Sequence, residues 1–406
     1  MPAGLARTFA SLRHRNYRLW FIGQLVSLLG TWMQSTAQGY LVFELTGSPV
    51  YLGTLAFAAG LPSWFFMLYA GVLADRVPRR RIMLATQVAM MALSAALALI
   101  TFSGVVQAWH LVALAFLLGI ANAFDAPARQ AIVLDLVGRD DLSNAVALNS
   151  TMFNTATALG PAAGGTLYAW LGPGWCFSLN AASFLAVLAA LLLMRLPPQA
   201  GPSRRATAAA ELKEGLRYVL RHRTIRAIML VVALVTIFGV SYVALLPAWA
   251  VKVLHGDSTT NGLLQSARGV GALACALVVA SLGALRTKGR LLLVGSFALP
   301  AMLLLFASVR STPVALLALV GVGAALILCY NMANTMVQTL SDDAVRGRVM
   351  GVYSFTFFGS MPIGGLAAGA LAEQLGEPWT VILGASVVAA GTLAVLLLNP
   401  GLRRTE

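Results

Sequence analysis

One apolar stretch near the start of the chain carries polar side chains at the spacing of a helix face. Five uncharged polar residues recur every three or four positions: Gln24, Ser27, Thr31, Gln34 and Gln38. Positions with this spacing lie on one side of an α-helix. A polar face is costly in lipid, so it must meet protein or a water-filled cavity. The stripe therefore predicts hydrogen bonding, either to a solute or to a neighbouring helix.

Two shorter polar stripes with the same spacing occur later in the chain: Asn122, Asp125 and Arg129, and then Asn331, Asn334 and Gln338. Gln34 and Gln38 lie nearest the middle of their apolar stretch. We therefore predict that Gln34, Gln38, Asn331 and Asn334 line a substrate cavity. Hydrogen bonds between helices, with no ligand, are the alternative.

A single arginine interrupts a later apolar stretch. Arg268 lies about ten residues into it, or ~15 Å deep at a rise of 1.5 Å per residue. An unpaired arginine at that depth costs roughly 3 kcal/mol or more. It must face a cavity, pair with an acid such as Glu44, or reach toward the surface. Arg268 is thus a candidate for binding an anionic substrate group, and a structural hydrogen bond to helix carbonyls is the alternative.

Proton-driven transport needs a carboxylate that is accessible from each side of the membrane in turn. No acid lies squarely in the middle of an apolar stretch. Glu44 and Asp125 are the candidates for carrying the proton, and Asp75 is better suited to a structural role.

The residues that would support enzyme or metal chemistry are missing from the sequence. There is no phosphate-binding glycine loop, no Ser/His/Asp set and no His-Glu-x-x-His motif. The three cysteines, Cys176, Cys275 and Cys329, lie far apart without metal or disulfide spacing. We therefore expect no enzyme activity, no metal and no cofactor.

The composition identifies a membrane protein. Of the 406 residues, 59% are hydrophobic and 10% are charged, whereas soluble domains carry about 25% charged residues. The mean hydropathy is +0.81. The long continuous apolar runs exclude the alternating pattern of a membrane β-barrel. A soluble protein and a disordered chain are excluded as well.

The apolar runs predict twelve transmembrane helices, since a span needs about 20 apolar residues. The predicted spans are 18–44, 50–74, 82–103, 109–131, 143–170, 174–195, 226–251, 259–284, 289–309, 312–338, 346–373 and 377–399. One long polar connection, 196–225, separates the first six from the last six. It contains an amphipathic pattern over Glu211–Arg223 that predicts a helix lying on the membrane surface. The expected organisation is a bundle over 1–195, a linker over 196–225 and a bundle over 226–406.

The net charge of +14 is explained by membrane topology. With both termini in the cytoplasm, all but three of the 28 basic residues fall in cytoplasmic segments, as the positive-inside rule expects. A nucleic-acid partner is therefore not expected. The location predicted is a bacterial cytoplasmic membrane, with several passes and both termini inside.

The two halves repeat each other weakly. Pro161 with Gly164-Gly165 in the fifth span corresponds to Pro362 with Gly364-Gly365 in the eleventh. Six spans in each half with repeated features predict a pseudo-two-fold bundle around a central cavity. The major facilitator fold has this arrangement.

Several motifs resemble those of the major facilitator superfamily. The segment Gly71–Arg80 is similar to its signature for the loop between spans 2 and 3, although Pro78 stands where the family usually has Gly. Four further segments resemble the branch of enterobactin exporters and macrolide-efflux proteins: Arg13–Trp20, Glu44–Ser48, Asp125–Gln130 and Asp140–Ser150. The resemblance covers nearly the whole chain.

The resemblance implies roles for particular residues. A carboxylate at Asp75 can accept hydrogen bonds from a neighbouring helix N-terminus, and Arg79 can turn back toward Asp125. In the family these charges are thought to latch the two halves together while the cavity faces outward. A cluster that only sets topology, with ion pairs worth under about 1 kcal/mol each, is the alternative.

The fifth span resembles a motif that is associated with export in the superfamily. The matching residues are Gly160, Pro161, Gly164 and Gly165. Ala147 and Ala156 stand where the family has two earlier glycines. The resemblance implies a hinge, and ordinary tight helix packing is the alternative. It also implies that spans 1, 4, 7 and 10 line the cavity.

The sequence thus predicts a monomeric secondary exporter of small amphipathic molecules, such as drugs or siderophores. It would work by alternating access, driven by protons. An importer or facilitator of a small polar solute on the same fold is the alternative, and a membrane signalling protein is a further one.

Overall fold

The computed structural model describes residues 9–138, 140–195, 208–281 and 287–404. These residues form helices joined by short turns, and no strand occurs among them. The predicted class, an all-α membrane protein, is confirmed.

The helices of the first half follow the six predicted spans. Their bounds are α1 Arg15–Thr46, α2 Pro49–Gly60, α3 Pro62–Arg76, α4 Arg79–Phe102, α5 Ala108–Val137, α6 Leu142–Leu171 and α7 Pro173–Leu193. A break at Leu61 divides the predicted second span into α2 and α3, because Pro62 begins a new helix.

The linker and the second half contain eight α-helices. Their bounds are α8 Ala208–Arg221, α9 Arg223–Leu234, α10 Tyr242–Ala248, α11 Ser258–Ser281, α12 Lys288–Ser308, α13 Thr312–Leu340, α14 Arg346–Leu375 and α15 Glu377–Leu398. The amphipathic helix predicted in the linker corresponds to α8. Residues 196–207 of that linker lie outside the described residues, so the division into 1–195, 196–225 and 226–406 stays a prediction.

The predicted seventh span is not one regular helix. Wider π-helical turns at Val235–Gly239 and Trp249–Val253 flank α10. Such turns often occur at functional sites. The hydropathy of the sequence does not distinguish them from an ordinary helix.

Ten described helical segments are long and apolar enough to cross a membrane. The predicted first and fifth spans, α1 and α6, are helices of 32 and 30 residues. They are not among those ten, and both contain many polar side chains. The number twelve therefore stays a prediction.

Two of the sequence motifs contact each other at the end of the bundle that carries the termini, here called the terminal end. Asp141 Oδ2 lies 2.8 Å from an Arg13 guanidinium nitrogen and 2.7 Å from His14 Nε2. Deeper in the bundle, the buried Tyr17 hydroxyl donates to the Asn149 amide oxygen at 2.9 Å and lies 3.0 Å from the Ala145 carbonyl. The motif Arg13–Trp20 thus anchors the start of α1 to the start of α6.

We predict that Asp141→Asn loosens the short 3₁₀ segment Ala10–Arg13. The His14 hydrogen bond, followed by the hydrogen bond and charge of Arg13, lowers the pKa of Asp141. A lowered pKa means that the stabilisation is present above the ordinary value, about 3.9, and is lost as the pH falls through the lowered one. Hydrogen exchange at the Ser11 and His14 amides should therefore be faster in the variant at pH 7.

The control is Asp140→Asn, which changes the neighbouring exposed carboxylate. It should exchange like the wild type. Equal exchange in wild type and Asp141→Asn at pH 7, or a difference that persists well below pH 3, would contradict the assigned contact.

Candidate substrate cavity

A cavity of about 480 Å³ lies between the two halves. Its first-half wall comes from α1, α2, α3, α4, α5 and α7, and about half of its residues are polar. The polar residues of this wall are Gln24, Ser27, Thr31, Gln34, Ser35, Gln38, Ser63, Gln87, Asn122, Asp125, Arg129 and Asn180. The second-half wall is largely apolar, and its residues are Val240, Ser241, Val243, Ala244, Pro247, Gln265, Phe358, Met361, Pro362 and Gly365.

The polar stripe of α1 faces this cavity, as the sequence predicts. Gln34 and Gln38 both line it and are buried. The Gln34 side-chain oxygen accepts from Asn180 Nδ2 at 2.7 Å, while Gln38 donates to the Leu111 carbonyl at 2.9 Å. Among the described residues no partner is recorded for the Gln34 amide nitrogen. That N–H group can therefore donate to a bound solute.

Among the described residues of the cavity wall, the only acid is Asp125, which is 2% exposed. Its carboxylate accepts from Thr86 Oγ1 at 2.9 Å and from Gln87 Nε2 at 3.0 Å, both on α4. Arg129, one turn further along α5, lies 3.3 Å from the other carboxylate oxygen.

Asp125 lies well inside its helix rather than near the end of it. The helix α5 continues to Val137, twelve residues or ~18 Å beyond Asp125 at 1.5 Å per residue. The hydropathy of the sequence underestimates the length of this helix, because its last turns contain the charged residues Arg129 and Asp135. Asp125 is thus inside the bundle and in reach of the cavity.

The expected contact between Arg79 and Asp125 is not the one observed. Arg79 donates to Asp135 Oδ2 at 2.7 Å and to the Ala131 carbonyl at 3.0 Å. Asp135 lies nearly three turns beyond Asp125, level with the start of α4, which explains the exchange of partner. The side chain of Asp75, the third predicted member of the latch, lies outside the described residues.

Three residues predicted for the cavity are absent from its walls. Asn331, Asn334 and Arg268 do not line it. The Asn334 side-chain oxygen accepts from Gln338 Nε2 at 2.5 Å within α13. The spacing of residues predicts which face of a helix they share, but it does not predict which helix packs against that face. Helix α13 packs mainly against α11 and α12. The tenth span, which is one of the four expected to line the cavity, therefore does not line it.

Arg268 has no ion-pair partner among the described residues. Its Nε atom is buried without a hydrogen bond. The backbone of Arg268 packs closely against Gly323 of α13, because glycine has no side chain to separate the two helices. The expected partner, Glu44, instead accepts from the Tyr168 hydroxyl. Glu44 is exposed and absent from the cavity wall, so its role as a proton carrier stays a prediction.

The cavity is closed at the end opposite the termini, here called the distal end, by two helix crossings without side chains. At the first, α6 meets α11, where a β-carbon on Gly165 would lie 3.0 Å from Gly262 Cα. At the second, α2 meets α14, where a β-carbon on Gly53 would lie 3.1 Å from Gly369 Cα. The same β-carbons would lie only 2.3 Å from the Ser258 carbonyl oxygen and 2.7 Å from the Gly365 carbonyl oxygen. Real β-carbons essentially never show such distances, so glycine is required at these positions.

The glycine pairs of the repeat have matching roles in the two halves. Gly164 lies against the backbone of α1 at Met33, and Gly364 lies against the seventh span at Ile237. Their neighbours Gly165 and Gly365 face the opposite half. The motif residues Gly160 and Pro161 also belong to this packing, since Gly160 lies against Trp32. Each pair thus joins one helix of its own half to one of the other.

Further contacts between the halves also lie toward the distal end. Ser48 donates to Glu373 Oε2 at 2.9 Å, and the Lys252 ammonium lies 5.4 Å from the Phe43 ring centroid. By contrast, the lining residues Phe358 and Met361 near the middle of α14 are 46% and 44% exposed, and the cavity wall continues toward the terminal end through Gln24 on α1 and Arg129 on α5. The described part of the chain is therefore closed distally and accessible from the terminal end.

Sequence reasoning missed several cavity residues. Gln87 and Asn180 line the cavity, and Thr86 donates a hydrogen bond to Asp125, but none of them belongs to a predicted stripe. A polar residue alone in a span is expensive, and that signal could have identified Asn180 and Gln87. The close Gly53–Gly369 contact had no signal beyond two glycines in helices.

Comparisons with known proteins agree with this architecture. The sequence profile of the family described as transmembrane secretion effector matches residues 6–405. The multidrug efflux pump Tap of Mycolicibacterium fortuitum is 26% identical over 377 residues, covering 90% of this chain and 91% of the pump. The enterobactin exporter EntS of Citrobacter koseri is 27% identical over 391 residues, covering 95% and 91%.

A solved structure shares the fold. The crystal structure of a mutant of the peptide transporter POT has a TM-score of 0.76 at 15% sequence identity, covering 96% of this chain and 95% of that one. At this identity the likeness shows the arrangement of the helices alone.

We predict that Gly165→Ala opens the distal end. The new methyl group would collide with Ser258 and Gly262, so the bundle should shift toward the conformation in which α6 and α11 separate. The measurement is the distance between spin labels at Ser48→Cys and Glu373→Cys, in a background without the three native cysteines. The control is Gly351→Ala on α14, where a β-carbon meets no atom within 4 Å. An unchanged distance distribution in Gly165→Ala would contradict the prediction.

We also predict that Gln34→Ala weakens the binding of a transported solute about fivefold, the value of one hydrogen bond of about 1 kcal/mol. Asn334→Ala, outside the cavity, should leave binding unchanged. The measurement is equilibrium binding of a fluorescent substrate to purified protein. A larger effect from Asn334→Ala than from Gln34→Ala would contradict this assignment of the cavity.

Proposed function

Since the chain belongs to the transmembrane secretion effector family, within the major facilitator superfamily, we propose that this transporter exports small amphipathic molecules. The proposed mechanism is alternating access driven by protons moving in the opposite direction. The proposed location is a bacterial cytoplasmic membrane with both termini inside, and the proposed working unit is a monomer.

The observation that carries the proposal is the two-sided cavity. Its first-half wall offers amide and hydroxyl groups, and its second-half wall offers apolar side chains such as Phe358 and Met361. A molecule with one polar and one apolar side satisfies both walls, whereas a small polar solute would leave the second wall unmatched. The similarity to an enterobactin exporter and a multidrug efflux pump supports export of such molecules.

We assign the proton to Asp125. A proton carrier needs contact with the cavity and partners that change between conformations. Asp125 lines the cavity, and in the proposed cycle its contacts with Arg129, Thr86 and Gln87 are the ones that change. In the proposed cycle, protonation removes its charge interaction with Arg129 and frees the guanidinium. Loss of the proton restores the pair and resets the site.

In this proposal the charged latch forms in the other conformation, the one in which the cavity faces outward. With the termini inside, the described conformation has its cavity closed to the outside, so a latch on the inner side would be released here. In this conformation Arg79 pairs with Asp135. When the inner ends close, Asp75, Arg79 and Asp125 would exchange partners to hold the halves together.

The test uses inverted membrane vesicles with an imposed proton gradient, acid inside. Ethidium and a catecholate siderophore serve as candidate substrates. Wild type should take up at least one of them, and collapsing the gradient should abolish uptake. Uptake that ignores the gradient would contradict proton coupling, and no uptake of any amphipathic solute would contradict export.

We predict that Asp125→Asn reduces gradient-driven uptake to less than about a tenth while leaving binding within about threefold, because the amide cannot carry the proton. The control is Asp343→Asn, which changes an aspartate whose side chain is 89% exposed. It should transport like the wild type. Undiminished gradient-driven uptake by Asp125→Asn would contradict the assignment.

A further inference from the structure

A second cavity, of about 330 Å³, lies between the start of α9 and the end of α15 at the terminal end. Two arginines in the first turns of α9, Arg223 and Arg226, form its polar rim. Its other walls are apolar apart from Asn399, and they are formed by Ala227, Leu230, Val395 and Leu398. The cavity is separate from the substrate cavity, and the transport mechanism does not use it.

Both arginines are held in place by neutral oxygens. Arg223 Nε donates to the Asn399 amide oxygen at 2.8 Å, and its guanidinium also donates to the Leu398 carbonyl. Arg226 donates to the Leu220 carbonyl at 3.1 Å. A guanidinium has five N–H groups, so each arginine keeps others for a ligand. In the described part of the chain no carboxylate pairs with either of them.

The walls of the cavity open toward the outside of the bundle. Leu230 is 50% exposed and Leu398 is 68% exposed, and both are at the surface of helices that the hydropathy places in the membrane. The arginines sit where α8, the amphipathic linker helix, turns into α9. Helix ends beside a surface helix lie at the level of the lipid headgroups.

We propose that this cavity binds an anionic phospholipid, with its phosphate between Arg223 and Arg226 and an acyl chain along Leu230 and Val395. Fixed guanidinium groups without acidic partners match a phosphate, which arginine binds in bidentate geometry. The positive end of α9 lies at the same place. Basic pockets between transmembrane helices are known to recognise anionic headgroups.

The repeat provides a matched control. Arg15 and Arg18 occupy the first and fourth positions of α1, as Arg223 and Arg226 do of α9. Both are exposed, and no side-chain hydrogen bond is recorded for either among the described residues. Replacing each pair by glutamine removes the same charge from the same end of the molecule.

The experiment is native mass spectrometry of purified protein titrated with dioleoyl phosphatidylglycerol in mixed micelles. The double variant Arg223→Gln/Arg226→Gln should bind about tenfold more weakly than wild type, and Arg15→Gln/Arg18→Gln should differ by less than about twofold. Phosphatidylcholine should not be retained by any of the three proteins. Equal weakening by both double variants, or retention of phosphatidylcholine, would overturn the proposal.

Two further measurements separate the site from its alternatives. Arg226→Gln alone keeps the Arg223 bonds between α9 and α15, so it should weaken binding several-fold in a protein that elutes as the wild type on gel filtration. If Arg226→Gln binds normally, the proposal fails. Inorganic phosphate at millimolar concentration should not displace the lipid. Displacement would assign the site to free phosphate instead and would overturn the lipid assignment.

Discussion

The architecture depends on the approach of helix backbones at two places where no side chain intervenes. Gly165 meets Gly262 and Gly53 meets Gly369 across the two halves. Because lipid provides no hydrophobic drive for helices to associate, such association rests on close packing and hydrogen bonds. Small residues permit both, as the Ala162 amide donating to Ser266 Oγ at 2.8 Å illustrates. These crossings close the distal end and so determine from which side the cavity is reached.

The cavity follows from how the chain distributes polar groups between the halves. The first half concentrates amides and Asp125 on helix faces that cannot meet lipid, so these faces turn inward. The second half has large apolar clusters, and its contribution to the cavity is correspondingly apolar. One pseudo-symmetric fold thereby acquires two chemically different walls. Helix α10, which lies between the two π-helical turns, contributes Val243, Ala244 and Pro247 to the second wall.

Much of the fold could be predicted from the sequence because membrane burial imposes simple patterns. Hydropathy located helices to within a few residues, and the stripe of α1 was placed correctly toward a cavity. Partners were harder to predict, since spacing within one helix does not specify the neighbouring helix. Arg79 therefore contacts Asp135 rather than Asp125, Glu44 contacts Tyr168 rather than Arg268, and Asn334 contacts its own helix. Arg13 and His14 contact Asp141 in another segment that the resemblance had singled out, although the sequence did not predict that the two segments meet.

The central claim is that substrate and protons move in opposite directions through one cavity. The most direct measurement uses protein in liposomes with a pH-sensitive dye trapped inside and no imposed pH gradient. A substrate gradient directed inward is then applied. The account predicts that substrate entry drives protons out, so the interior becomes alkaline, and that Asp125→Asn abolishes the signal. Substrate entry with no change in internal pH, or with acidification, would contradict it.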